Sequence, residues 1–249
     1  MDYLDYDVID KLMQGLYEAA KKANIAVTGG EIAELGNRIC GYGDKMHFNW
    51  TATAIGALMP YIKKPLSGDN IQVGDKIIAI KSRGFRSNGF SLARKILSEA
   101  FGDEWHTQNY SDLQTWGDVL LTPSLIYAPL IKELFKRRLK IKAVVHITGG
   151  GIPDNFKRIL PKETLGALFD DIFPPHKPMM KLKSLGNIDL KKLYKIWNMG
   201  NGMLLVVSSY EADKTVDYIT KNNYQAKVAG KITDDGKIVI KTGEGEIGY

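Results

Sequence analysis

A mixed α/β chain, with helices on one face of mainly antiparallel sheets, is the fold class this sequence predicts. Three observations predict it. The chain opens on a strongly amphipathic helical stretch, short apolar runs recur between later helical stretches, and glycine-rich turns stand where those runs meet helices.

The opening stretch, 7–24 (DVIDKLMQGLYEAAKKAN), puts Val8, Leu12, Leu16 and Ala19 or Ala20 on one face. Its acids come early and its lysines late, as the helix dipole favours. Short strands follow at 25–31 (IAVTGGE) and 50–60 (WTATAIGALMP), the second stopped by a proline. The stretch 61–74, with Pro65, Gly68 and Gly74, reads as a domain junction, which divides the chain into 1–64 and 65–249. Beyond it the pattern predicts a strand at 75–82, a loop at 83–89, a helix over 90–100 and a second helix over 124–138. A strand at 140–148, a glycine run with a short helix and a strand near 165–170 come next. The loop 173–178 (FPPHKP) is read as free of regular structure because of its prolines. The end carries a strand at 203–209, a helix at 210–223 and strands at 225–232 and 237–241.

The chain is long enough, and its 44% hydrophobic content high enough, to bury a substantial core. The N-terminus is acidic and amphipathic, unlike a signal peptide, and no apolar stretch is long enough to span a bilayer. The single cysteine, Cys40, excludes an internal disulfide framework and fits a reducing cytoplasm. A net charge of +6 raises the question of nucleic acid. The basic residues are spread over many faces, with local clusters only at 132–142 and 177–183 and no nucleic-acid motif beside them. The expectation is therefore an anionic small-molecule substrate, with no nucleic acid and no membrane.

Glycine between a strand and a helix lets backbone approach a ligand closely, and N–H groups at a helix start favour an anion. TGGG at 148–151 has that context, as does TGGE at 28–31, and Asn198, Gly200 and Gly202 in WNMGNGM form a third such loop. Each is either a phosphate cradle or simply a turn. Glu31 and Glu34 offer two carboxylates to a metal or an ammonium-like group, or else form a solvated first helical turn. His146 reads as a catalyst or as a hydrogen-bonded core histidine, and Asn88 as a polar positioner or a left-handed turn residue.

The order of the motifs says more than any one of them. GGEIAE (29–34), SRGFRSNGFSLARKIL (82–97), LLTPSLIYAPLI (120–131), HITGGGIPDNFKRILP (146–161) and WNMGNGM (197–203) together resemble the phosphoribosylformylglycinamidine cyclo-ligase (aminoimidazole ribonucleotide synthetase) family. The resemblance implies a cyclisation in de novo purine synthesis. ATP phosphorylates the amide oxygen of formylglycinamidine ribonucleotide, and an internal nitrogen displaces phosphate to close the imidazole ring. It also implies Mg2+ and a homodimer. Carried over to this chain, it makes Glu31, Asn88 and His146 catalytic, with Glu31 also near Mg2+. Gly29, Gly30, Arg86, Ser87, Thr148, Gly149, Gly150, Gly151 and Asn198 become the substrate and phosphate contacts.

Two departures stand out. Relatives commonly carry histidine before Ser-Asn-Gly, where this chain has Arg86, a residue that clamps anions but serves no base role near neutral pH. The family's N-terminal G-T-D-G-V-G-T-K and N-D-L motifs do not occur. The resemblance therefore implies an incomplete first domain at 1–64 and a complete aminoimidazole ribonucleotide synthetase-like second domain at 65–249. Three accounts follow: a split enzyme completed by a separate N-terminal polypeptide, a truncated reading frame, or a noncatalytic anion- or nucleotide-binding relative.

Overall fold

The computed structural model describes every residue of 1–249 except 42, 61 and 162. Residue 61, the head of the expected junction, thus lies outside the described residues. The chain divides into two compact units, one of Met1–Pro65 with Ile126–Lys132, the other of Leu66–Leu125 with Glu133–Tyr249.

In the first unit, helix α1 (Tyr6–Ala23) forms where the periodicity places it. Asp5 caps it by accepting from the Val8 N–H at 3.2 Å, Lys21 and Lys22 complement its last turn, and Asn24 closes it in the left-handed region. The strands expected at 25–31 and 50–60 do not form, because an extended apolar run becomes a strand only beside a hydrogen-bonding neighbour. Neither stretch pairs with a strand among the described residues, and Ile25, Val27, Ile55 and Leu58 are 61, 54, 96 and 53% exposed.

The second unit contains β1 (Lys76–Lys81), α2 (Phe90–Phe101), the small hairpin β2 (Asn109–Ser111) and β3 (Gln114–Thr115), and α3 (Trp116–Leu120). After α4 (Ala128–Lys136), whose first half groups with the first unit, come β4 (Ile141–His146), α5 (Gly151–Lys157), β5 (Gly166–Phe169), α6 (Lys177–Leu185) and α7 (Leu190–Ile196). The chain ends with β6 (Asn201–Val207), α8 (Ala212–Lys221), β7 (Ala226–Thr233), β8 (Ile238–Thr242) and β9 (Gly245–Gly248). Helix α4 starts later than 124 because Pro129, which lacks an N–H, is tolerated only in a helix's first turn.

Seven strands make one sheet in the order β4-β6-β1-β7-β5-β8-β9, antiparallel throughout except for the β5–β8 pair. The expectation of helices on one face needs correction. Successive side chains of a strand point to opposite faces, yet Ile77, Ile78, Ala79 and Ile80 of β1 are all fully buried. Ile77 and Ala79 join the main core with Leu97, Phe156, Leu193 and Trp197. Ile78 and Ile80 face the other way, where α8 packs over β1 and β7 and buries Thr215 and Ile219. The central strands therefore read as continuous apolar runs, covered on both sides.

Register aligns Lys81 of β1 with Asn201 of β6, and His146 of β4 with Met203 of β6. Phe169 of β5 aligns with Ile240 of β8. The loops after β1, β4, β5 and β8 and the turn before β6 thus leave the sheet from the same end.

Candidate functional site

Three of the expected motifs meet at that end. Following β1, the chain turns through Arg86 and Ser87 in the left-handed region before α2 begins. Asn88 bridges two loops: its Nδ2 donates to Arg86 O at 2.9 Å, and its Oδ1 accepts from the Gly149 N–H at 3.0 Å. The Ser-Asn-Gly and Thr-Gly-Gly-Gly segments, 61 residues apart in sequence, are hydrogen-bonded to each other.

The TGGG loop is built around a residue the sequence reading left unassigned, Asn155, which is 3% exposed. Its Nδ2 donates to Thr148 O, Gly149 O and Gly151 O at 3.4, 3.2 and 2.7 Å, while its Oδ1 accepts from Thr148 Oγ1 at 3.2 Å. Gly150 and Gly151 take φ of 96° and 59°, and a Cβ on Gly151 would stand 1.7 Å from Tyr194 O. Only glycine satisfies both the handedness and the close approach. The Gly149 N–H is used by Asn88 and the Gly151 N–H by Thr148 O at 3.0 Å.

Arg86 is 8% exposed. Its Nη1 donates to Ile147 O at 2.9 Å and to Gly202 O, and its Nη2 donates to His146 Nε2. The guanidinium thus ties the end of β4 to the start of β6. Because it only donates, His146 Nε2 presents its lone pair to Arg86 and the ring proton rests on Nδ1. Partial desolvation and then the Arg86 charge hold the His146 pKa below its ordinary value, so the ring is neutral at pH 7.

A second histidine lies beside this group. Asn198, 2% exposed, accepts at Oδ1 from Ser82 Oγ at 2.6 Å and from the Gly200 N–H at 3.0 Å, and its Nδ2 donates to Gly84 O at 3.0 Å. Those contacts fix the amide's orientation. The one Ser82 proton is committed to Asn198, so His176 Nε2 donates to Ser82 Oγ at 2.8 Å. Burial first, and then the Lys81 charge, hold the His176 pKa below the usual imidazole value. The two neutral rings therefore carry opposite tautomers, Nδ1–H at His146 and Nε2–H at His176. His176 was legible only as part of a proline-rich loop.

Gly29, Gly30 and Glu31 lie in the first unit, exposed and outside regular structure, with open space beside both glycines. Among the described residues no group of three or more His, Cys, Asp or Glu side chains is placed to hold a metal ion.

Comparison with known proteins decides what these loops belong to. The profile of the C-terminal domain of AIR synthase related proteins matches residues 72–243. The phosphoribosylformylglycinamidine cyclo-ligase of Methanopyrus kandleri is 31% identical over 245 residues, covering 96% of this chain and 68% of that protein. The one from Methanobrevibacter smithii is 34% identical over 255 residues, covering 100% of this chain and 71% of that protein. This chain belongs to the phosphoribosylformylglycinamidine cyclo-ligase family. Its fold is the AIR synthase-like α/β fold, shared at low sequence identity with the hydrogenase maturation protein HypE. One HypE crystal structure is 16% identical and has a TM-score of 0.65 over 98% of this chain and 71% of that chain. E. coli HypE is likewise 16% identical, with a TM-score of 0.58 over 99% of this chain and 68% of that chain. Of the motifs that the resemblance singled out, three are gathered at one end of the sheet. The profile spans the loops of the second unit, and the GGE segment lies outside it.

Proposed function

We propose that this chain catalyses, with a complementary N-terminal polypeptide, the ATP-dependent closure of formylglycinamidine ribonucleotide to aminoimidazole ribonucleotide. The observation that carries this reading is the direct hydrogen bond between Asn88 and Gly149, which joins two family motifs into one site beside His146. Membership of a family whose members are named for this reaction supports it. A structure of HypE in complex with ATP, on the same fold, is consistent with ATP as the phosphoryl donor. In this reading the amide oxygen of the substrate attacks the terminal phosphorus of ATP and ADP leaves. An internal nitrogen then attacks the activated carbon, inorganic phosphate leaves, and the ring closes with loss of a proton.

Asn88 positions the substrate against the glycine loop, and His146, neutral with its proton on Nδ1, donates to the oxygen being phosphorylated. Arg86 keeps His146 in that tautomer, in addition to the anion-clamping role expected of it, and Ser87, Thr148, Gly149, Gly150, Gly151 and Asn198 shape the phosphate pocket. Gly29, Gly30 and Glu31 serve the nucleotide end. Glu31 is the carboxylate proposed for Mg2+. The exposed apolar side chains of the first unit, Ile25, Val27, Ile55 and Leu58, support the need for a covering polypeptide. The division at 1–64 and 65–249, the cytoplasm and a homodimer belong to the same reading.

The test is formation of aminoimidazole ribonucleotide by the purified chain, alone and with the N-terminal polypeptide of a relative added. Turnover is expected on addition, and loss of at least about a hundredfold in Glu31→Gln, Asn88→Ala or Gly150→Val, the range for removal of a positioning or charge-stabilising group. Near-normal rates in all three variants would overturn the assignment of the site. Ligand binding without turnover under every condition would favour a noncatalytic nucleotide-binding relative.

A further inference from the structure

Farther along the same end of the sheet, the second unit holds a cavity of about 480 Å³ that shares no residue with the loops of the catalytic reading. Phe173 and Met180 contribute apolar surface to it, and Asp170, Asp171 and Glu244 contribute carboxylates. The cavity is of the size that takes a small organic ligand.

Tyr194 makes it more than a cleft. The residue lines the cavity, is 1% exposed, and its hydroxyl has no hydrogen-bond partner among the described residues. Burial, and then the charge of Glu244 in the same lining, push the phenol well above its ordinary pKa. The hydroxyl therefore keeps its proton and offers it to the cavity. The hydroxyl has no protein acceptor among the described residues, so a ligand atom with a lone pair that enters the cavity can take its proton in a hydrogen bond.

The carboxylates set the remaining requirement. Asp171 pairs with Lys227 and Glu244 with Lys183, each at 2.5 Å, whereas Asp170 has no ion pair among the described residues. Lys241 of the lining is held by Glu246 at 3.2 Å, so the Asp170 carboxylate is left to meet an entering group: it repels an anion and satisfies an N–H donor. One lone pair, N–H donors, an apolar face against Phe173 and no negative charge describe one chemical class. We infer that this cavity binds an uncharged heterocycle bearing an amino group, which accepts from the Tyr194 hydroxyl and donates to Asp170.

The probe is 2-aminopurine, whose fluorescence is quenched on stacking, titrated against the whole chain. Saturable quenching is expected, weakened about three- to tenfold in Tyr194→Phe, the range for loss of one neutral hydrogen bond. The melting temperature of that variant should be unchanged or raised, because the removed hydroxyl has no protein partner. Asp170→Asn, at an exposed position, should weaken the quenching as well, and ribose 5-phosphate should not compete. Absence of saturable quenching in the parent chain, or parental affinity in either variant, would overturn the inference.

Discussion

Gly151 illustrates how one residue can carry a loop. With a positive φ and a neighbouring carbonyl at 1.7 Å from any Cβ, Gly151→Ala should cost more than about 2 kcal/mol through strain and overpacking together. Denaturant unfolding measures this, and an unchanged midpoint would refute the packing described for the loop. The two histidines give a second prediction. Both have folded pKa values below the ordinary 6.5, so in the window beneath 6.5 the unfolded chain binds protons that the folded chain does not. Stability should therefore be fully present above about 6.5 and fall as the pH drops toward the lowered folded values. Unfolding midpoints between pH 7.5 and 5.5 check the slope, which His146→Gln combined with His176→Gln should flatten. An unaltered slope in the double variant would place its origin elsewhere. Of these residues His146 was visible beforehand as a histidine ending an apolar strand, but its tautomer depends on Arg86, 60 residues away.

Among the elements, helix α5 and the TGGG loop behave as one piece because Asn155 joins them. Replacing it by alanine leaves three carbonyls without their shared donor, at a cost of about 1–3 kcal/mol. Asn155→Asp should cost more than Asn155→Ala, since a carboxylate facing three carbonyls accepts and cannot donate. Thermal melts of the two variants give the ranking, and the reverse order would mean that the amide is not the donor. Element prediction succeeded where side-chain periodicity was continuous, as in α1, β1 and β6. It failed in two instructive ways. Pro178 falls in the first turn of α6, where its missing N–H has no helical partner to lose, so the proline-rich loop ends in a helix. In α7 the spacing of Leu190, Leu193, Tyr194 and Trp197 is helical, and those residues join the core, but Asp189 as the capping residue is what marks its start.

For the whole molecule, the main hydrophobic cluster runs from Ile71 to Ile240 with Ile247 and Tyr249 packed against it, and among the described residues none of the first unit belongs to it. A chain starting at Leu66 should therefore fold cooperatively and melt within a few degrees of the full chain. Circular dichroism melting of the two chains tests this, and a non-cooperative or absent transition in the shorter chain would show that the first unit contributes to that core. The net charge of +6 suits the polyanionic substrates of the proposed reaction through long-range attraction.

What the amino-acid sequence determined by itself was local or written in motif order. Helix α1 with its polar gradient, the apolar central strands, the glycine turns and the family all follow from neighbouring residues or from a fixed succession of short motifs. Tertiary structure alone decided the rest. It left the apolar runs of the first unit without strand partners, because a ladder needs a neighbour that no single segment encodes. It covered both faces of the sheet, since burial depends on what α8 packs against. It also set the protonation of two histidines and left the Tyr194 hydroxyl facing a cavity. Hydrogen-bond partners and desolvation depend on distances in space between residues far apart along the chain.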